Sequence, residues 1–232
     1  MTVAAVILAA SPTSALADAD GTPAVRRMAD AAWAGGATPV VISASDPDGT
    51  VSAILANAEV TLVEPVAPSL GAVGQVASGV DAAIRLVADT DAALIWPARL
   101  AWVDSETVTT LIAAHGENRG VVLRPAFGGE DGFPVLLPVA HLAAFRALAA
   151  DRLPGELFED LAAGGVPVRR IETGDPGVTH DVSVPRSELP PYDGPPEPPD
   201  APVHEWGAAA ADDPDDAPVP GPRRLSPADP AA

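Results

Sequence analysis

From Val3 to Leu189 the chain alternates short continuous apolar runs with longer amphipathic stretches, the pattern of strands separated by helices. Val3–Leu8, Pro39–Ser43, Val60–Val63, Ala92–Trp96, Gly120–Arg124, Pro134–Leu137 and Val166–Ile171 read as strands. Thr22–Gly35, Asp48–Asn57, Leu70–Ala88, Ser105–His115, Val139–Ala149 and Glu156–Ala163 read as helices. Within Leu70–Ala88, the residues Val73, Val76, Val80, Ile84 and Val87 recur at three- and four-residue spacing and define one apolar face. The carboxylate of Asp104 or the hydroxyl of Ser105 supplies a cap for the helix that follows. Strands without internal polar alternation, separated by helices, predict a mostly parallel sheet covered on both faces, a three-layer α/β/α sandwich. Ligands of such sheets lie outside the carboxyl ends of the strands, which singles out the loops after Leu8, Val63 and Trp96.

The pattern stops at Leu189. Residues 190–232 hold 13 of the 27 prolines and nine acidic residues against two bases, Arg223 and Arg224, with an isolated Trp206. So little apolar surface cannot offset the entropy of ordering, so this segment is expected to be a disordered acidic tail beside a folded domain of residues 1–189. It is expected to act as a solubilising extension, with a docking peptide around His204, Glu205 and Trp206 as the sharper alternative for a protein partner.

Composition narrows the chemistry. The formal charge is −19, from 32 acids and 13 bases, and every base is arginine. Without lysine there is no Schiff base and no ammonium to grip a phosphate; without cysteine there is no disulfide, thiolate metal site or cysteine nucleophile. Nucleic acid and anionic membranes are disfavoured as partners, because binding to both draws on clustered basic residues. Ala15-Leu16-Ala17 looks like a signal-peptide cleavage site, yet no base precedes Arg26 and the apolar run is short; a buried first strand and a cytoplasmic location are expected instead.

Several segments carry a family resemblance. The strand Val3 to Ala10, its loop, and Asp20-Gly21-Thr22-Pro23 resemble the opening of MobA-like nucleotidyltransferases, where Leu-Ala-Ala-Gly precedes a basic loop and a Gly-x-Pro turn. Pro68 to Gly79 resembles the family's glycine- and serine-bearing helix start. Leu94 to Val108 resembles its Asp-x-Pro segment. Gly132-Phe133-Pro134 resembles its Gly-His-Pro strand, and Asp181 to Pro185 its closing Asp-x-Asp-Thr-Pro. The resemblance spans about residues 3–189 and implies a Rossmann-like sandwich of the nucleotide-diphospho-sugar transferase type. It also implies transfer of a nucleotidyl group from a magnesium-bound NTP to molybdopterin or another phosphorylated acceptor.

Measured against that family, this chain lacks parts. Ser11 stands where the loop glycine is expected, Pro12 removes a backbone donor, and the loop carries Asp18 and Asp20 in place of bases. Arg99 occupies the position of the metal-binding aspartate, and Ala101 that of its proline. Asp181 is kept, but Ser183 and Val184 replace the second acid and the threonine. A guanidinium repels a dication, so no metal site is assigned. Arg99 and Asp181 are the candidate reactive pair, with two roles open: Arg99 binds phosphate directly, or the two close the site as an ion pair. Ala10, Ser11, Thr13, Ser14, Gly71, Gln75 and Ser78 are the candidate nucleotide-binding positions, and His180 is a candidate base. Trp96 and Trp102 are expected to pack in the core. Three functions remain: a catalytically impaired member binding a nucleotide or phosphorylated small molecule, or regulating another protein; an active transferase using NTP and magnesium; and a ligand-free structural domain.

Overall fold

The computed structural model of the chain describes residues 2–9 and 11–194. The tail as a whole beyond residue 194, with its Trp206 peptide, and the candidate site residue Ala10 lie outside the described residues. Strand β1 (Thr2–Leu8) runs through the middle of the sheet and is buried on both faces, as its unbroken apolar sequence requires. A turn of helix, α1 (Pro12–Ala15), and a hairpin of β2 (Asp18–Ala19) and β3 (Thr22–Pro23) lead into α2 (Ala24–Ala34). There follow β4 (Val40–Ser43), α3 (Thr50–Ile54), β5 (Val60–Val63), α4 (Gly71–Leu86), β6 (Thr90–Pro97) and α5 (Ser105–Glu117). The second half holds β7 (Val122–Phe127), β8 (Glu130–Asp131), β9 (Val135–Pro138), α6 (Leu142–Arg146), α7 (Pro154–Ala163) and β10 (Val168–Glu172).

The main sheet has the order β10-β7-β9-β6-β1-β4-β5, with β8 added to β7. It is mostly parallel: β1 runs parallel to both β4 and β6, β4 to β5, and β7 to β10, whereas β9 is antiparallel to β6 and β7. The register brings Leu8 beside Ser43 on one side and beside Pro97 on the other, so three strand ends finish level. The β10 edge exposes Arg169, Arg170 and Glu172, charges that discourage edge-to-edge pairing.

Helix α4 packs directly on the central strand. Val73, Val76, Val80 and Ala83 are buried on the predicted face, with Ile84 and Val87 half-buried. Gly79 lets the helix approach: a Cβ there would lie 2.3 Å from Cγ1 of the buried Val6.

Four local expectations needed correction. The Val139–Ala149 helix is a 3₁₀ turn, Val139–His141, followed by the short α6, and α7 begins earlier than Glu156, at Pro154, where proline suits the first turn. The last strand starts at Val168, not Val166, because Val166 still bonds back to Leu161 at the end of α7. Asp20-Gly21, read as the approach to a helix, forms the two-residue turn of the β2–β3 hairpin. Both residues have positive φ, 59° and 78°, and the Asp18 carboxylate accepts from the Gly21 N–H at 3.1 Å.

His115 in α5 is fully buried and neither ring nitrogen has a hydrogen-bond partner among the described residues. Burial, helped by Arg119 and opposed by Asp91, holds its pKa below the ordinary histidine value. The unfolded chain therefore binds a proton more readily than the folded one, and stability falls as pH drops below the unfolded histidine value near ~6.5. Thermal melts of His115→Leu are expected to lose part of the Tm decrease that the parent shows between pH 7.5 and pH 5.5; equal decreases would remove His115 as its source. Gly79→Ala is expected to destabilise the fold, because overpacking on Val6, about 1–3 kcal/mol, exceeds the helix-propensity gain of about 1 kcal/mol. Urea unfolding measures the sign.

Candidate functional site

The level ends of β1, β4 and β6 open into a cavity of about 450 Å³. Leu8, Ala9 and Ser14 enter it from the first loop, Ser43 from the end of β4, and Pro65, Val66 and Pro68 from the loop after β5. Gly71, Ala72 and Gln75 of α4 form another wall; Pro97, Ala98 and Arg99 after β6, with Pro154 of α7, complete it. All three loops singled out by the topology rule thus meet at one concavity. Its lining is mainly apolar, and Arg99 is the one charged residue among the described residues that line it.

Two of the polar side chains here, Gln75 and Ser14, are engaged with the protein's own backbone. Gln75 Nε2 donates to the Val66 carbonyl at 2.8 Å, and its Oε1 accepts from the Val66 N–H at 3.2 Å. This pair of hydrogen bonds ties the loop after β5 to α4, so Gln75 shapes the cavity wall. Ser14 Oγ donates to the Ser11 carbonyl at 2.8 Å and accepts from the Ser11 N–H at 3.0 Å, closing the α1 turn on itself. Gly71 starts α4 with φ 59°, and a Cβ there would fall 1.7 Å from the Ala150 carbonyl oxygen, so only glycine allows this helix start beside the 147–153 loop. No side chain caps α4.

Not every candidate is gathered here. Thr13 is exposed and does not line the cavity, and Ser11 reaches it only through Ser14. Ser78 lies farther along α4, on a separate surface depression with Asp81, Arg85 and Arg146.

Arg99 and Asp181 meet. The guanidinium Nη1 is 3.6 Å from Asp181 Oδ2, and the Arg99 carbonyl accepts from the Val182 N–H at 2.9 Å. Arg99 is exposed, so the pair is weak, roughly 0–1 kcal/mol by comparison with other surface ion pairs. Asp181 Oδ1 accepts from the Ser183 N–H at 2.9 Å and from its hydroxyl at 2.5 Å. These Ser183 bonds, and then the Arg99 charge, hold the Asp181 carboxyl below its ordinary value against an opposing effect of burial.

A layer behind the pair fixes its position. Trp102 is buried, and its indole N–H is shared between the carbonyls of Asp181 at 3.2 Å and Val184 at 3.0 Å. The Arg27 guanidinium lies 5.3 Å from the Trp102 ring centroid, and its Nε donates to the Ala101 carbonyl at 3.0 Å. Trp96 is wholly buried and donates to the Leu100 carbonyl at 2.8 Å. Both tryptophans are therefore core elements, as expected. Asp104 caps α5 by accepting from the Glu106 N–H at 3.0 Å. His180 Nδ1 sits 2.8 Å from the Pro176 carbonyl and 3.0 Å from Thr179 Oγ1, with its ring edge-on to Phe127. These contacts suit a structural histidine.

The buried Asp175 carries no signal in the sequence beyond the turn composition Gly174-Asp175-Pro176-Gly177. It accepts from Thr107 Oγ1 at 2.7 Å, the Gly177 N–H at 2.8 Å and the Asp104 N–H at 2.9 Å. Burial raises its pKa, while these three donors oppose the shift. Through them the segment bearing Asp181 is fastened to the start of α5.

The family resemblance implies a divalent metal at this crevice. The donor set does not fit one: Arg99 is a cation, and both oxygens of Asp181 already face Ser183 or Arg99. Among the described residues no group of three or more His, Asp or Glu side chains could hold a metal ion.

A mostly parallel sheet with a cavity across the ends of its central strands is an α/β domain with its ligand crevice where such sheets place it. The family model for the MobA-like NTP transferase domain matches residues 6–164, and the chain belongs to that family. Among solved structures, the manganese complex of Rv0371c from Mycobacterium tuberculosis H37Rv is similar in fold. It has a TM-score of 0.57 and 18% identity, over 74% of this chain and 88% of that one. A nucleotidyl transferase from Methanothermobacter thermautotrophicus gives a TM-score of 0.58 at 16% identity, over 74% and 87%. A 4-diphosphocytidyl-2C-methyl-D-erythritol synthase from Anaerococcus prevotii gives 0.57 at 13%, over 74% and 89%. No curated protein matches the chain. No helix among the described residues is long and apolar enough to cross a membrane.

Removing Asp175 strands two amides and a hydroxyl without an acceptor. Asp175→Ala is expected to cost roughly 3 kcal/mol or more in chemical denaturation. A loss under about 1 kcal/mol would show that the 173–184 segment is held by packing alone.

Proposed function

We propose that this domain binds a nucleotide or a phosphorylated small molecule in the cavity between β1, β4 and β6 and does not carry out metal-supported nucleotidyl transfer. It serves as a binding or regulatory domain. The observation that carries this proposal is the Arg99–Asp181 pair at 3.6 Å, a guanidinium and a carboxylate facing each other where transfer needs carboxylates around a dication. Nucleotidyl transfer asks little covalent work of the protein and depends on charge placement. A site with Arg99 as its one lining charge, in a chain without lysine, lacks that placement but keeps an anion-binding group. Membership of the family supports a nucleotide as the ligand class.

The opposing reading, an active transferase, is supported by the family and by the names of its structural neighbours. Two measurements separate them. In EDTA, nucleotides are expected to raise the melting temperature, and Arg99→Ala is expected to weaken binding about tenfold, the loss of one charge-assisted contact. With magnesium, all four NTPs and phosphorylated acceptors, no pyrophosphate release is expected. Sustained magnesium-dependent release abolished by Arg99→Ala would instead establish the transferase.

A further inference from the structure

We infer that the ligand of this cavity carries one phosphate monoester on an aromatic or apolar body, and that the cavity discriminates against di- and triphosphates. The inference rests on the binding function proposed above and names the ligand class more closely.

Charge is the first argument. One guanidinium answers one phosphate group, bidentately at best. A triphosphate adds further negative charges that no lining residue offsets, in a chain whose formal charge is already −19.

Backbone chemistry is the second argument. Phosphate chains are ordinarily held by successive backbone N–H groups in a loop. Four lining residues, Pro65, Pro68, Pro97 and Pro154, are prolines and offer no N–H. The Val66 N–H is taken by Gln75, and Ser14 is turned onto Ser11. Outside the first turn of α4 the walls are therefore poor in donors and rich in apolar surface, suited to a ring system and unsuited to a string of phosphates. A volume of about 450 Å³ lies within the range of ordinary small-molecule sites and admits a nucleoside-sized body.

Asp181 gives the proposal its own signature. It competes with the ligand's phosphate for Arg99, because the carboxylate already lies 3.6 Å from the guanidinium. Binding exchanges one anionic partner of Arg99 for another. Arg99 is exposed, so replacing it does not threaten the core.

The test is calorimetry on the full chain in EDTA, with the four nucleoside 5′-monophosphates, their triphosphates and phenyl phosphate as probes. At least one monophosphate is expected to bind tenfold or more tightly than its triphosphate. Asp181→Asn is expected to tighten that monophosphate severalfold, Arg99→Ala to weaken it about tenfold, and Arg99→Lys to restore part of the loss. A triphosphate that binds metal-free as tightly as its monophosphate overturns this inference and leaves the nucleotide-binding function standing. So does an unchanged monophosphate affinity in Asp181→Asn. Absence of binding by every probe overturns the proposed function itself.

Discussion

The register of β1 against its two parallel neighbours is the constraint from which the site follows. Leu8 pairs with Ser43 across one ladder and with Pro97 across the other, so the chain must leave the sheet at the same height three times. A one-residue slip would exchange the two buried faces of β1, but parallel strands buried on both sides tolerate little such change in side-chain size. Gly79 fixes α4 against Val6 on one face and thereby places Gln75, about one turn earlier, and Gly71, about two turns earlier, at the same rim. The cavity is a consequence of sheet geometry before any functional residue is considered.

That separation lets the rim residues vary without disturbing the fold. The sheet depends on apolar burial in strands and on α4, none of which requires the rim residues to carry a particular charge. Rim positions can therefore move from carboxylate to guanidinium, or from glycine to serine, with little effect on folding. The new charges then need partners. Arg99 finds Asp181, and Asp181 is held in place by Ser183, Trp102 and, farther back, the buried Asp175. The supporting layer is more buried and more extensively hydrogen-bonded than the pair it supports.

The sequence announced most of the sheet because its strands are unbroken apolar runs and α4 repeats valines at helical spacing. The topology rule then pointed to the three loops that meet at the cavity. Arg99 and Asp181 came from the family resemblance, and their pairing was one of two roles left open. What stayed hidden was set by contacts distant in the chain. Asp175 bonds to Thr107 and to the Asp104 amide, about seventy residues back, and nothing local marks it. Gln75 is legible as a polar residue near a helix start, but its engagement with Val66 depends on how the loop after β5 turns. The Asp20-Gly21 hairpin was locally encoded: an Asp-Gly pair is a strong type I′ signal, masked by the helix that begins at Ala24.

Prolines at the rim link these points. A proline in a loop, at a strand end or in the first turn of a helix disturbs few hydrogen bonds of the sheet or helix, but it deletes one donor from whatever the rim could hold. It also narrows the conformations available to the loop before a ligand arrives. Pro65, Pro68, Pro97 and Pro154 therefore act together in two ways: they stiffen the walls and strip them of N–H groups. A stiff, donor-poor, apolar wall with one guanidinium at its edge binds by shape and by a single charge. Multiple phosphates call for the opposite design, a flexible glycine-rich loop crowded with donors. In the proposed function, walls of this kind therefore favour recognition of the body of the ligand over recognition of a phosphate chain.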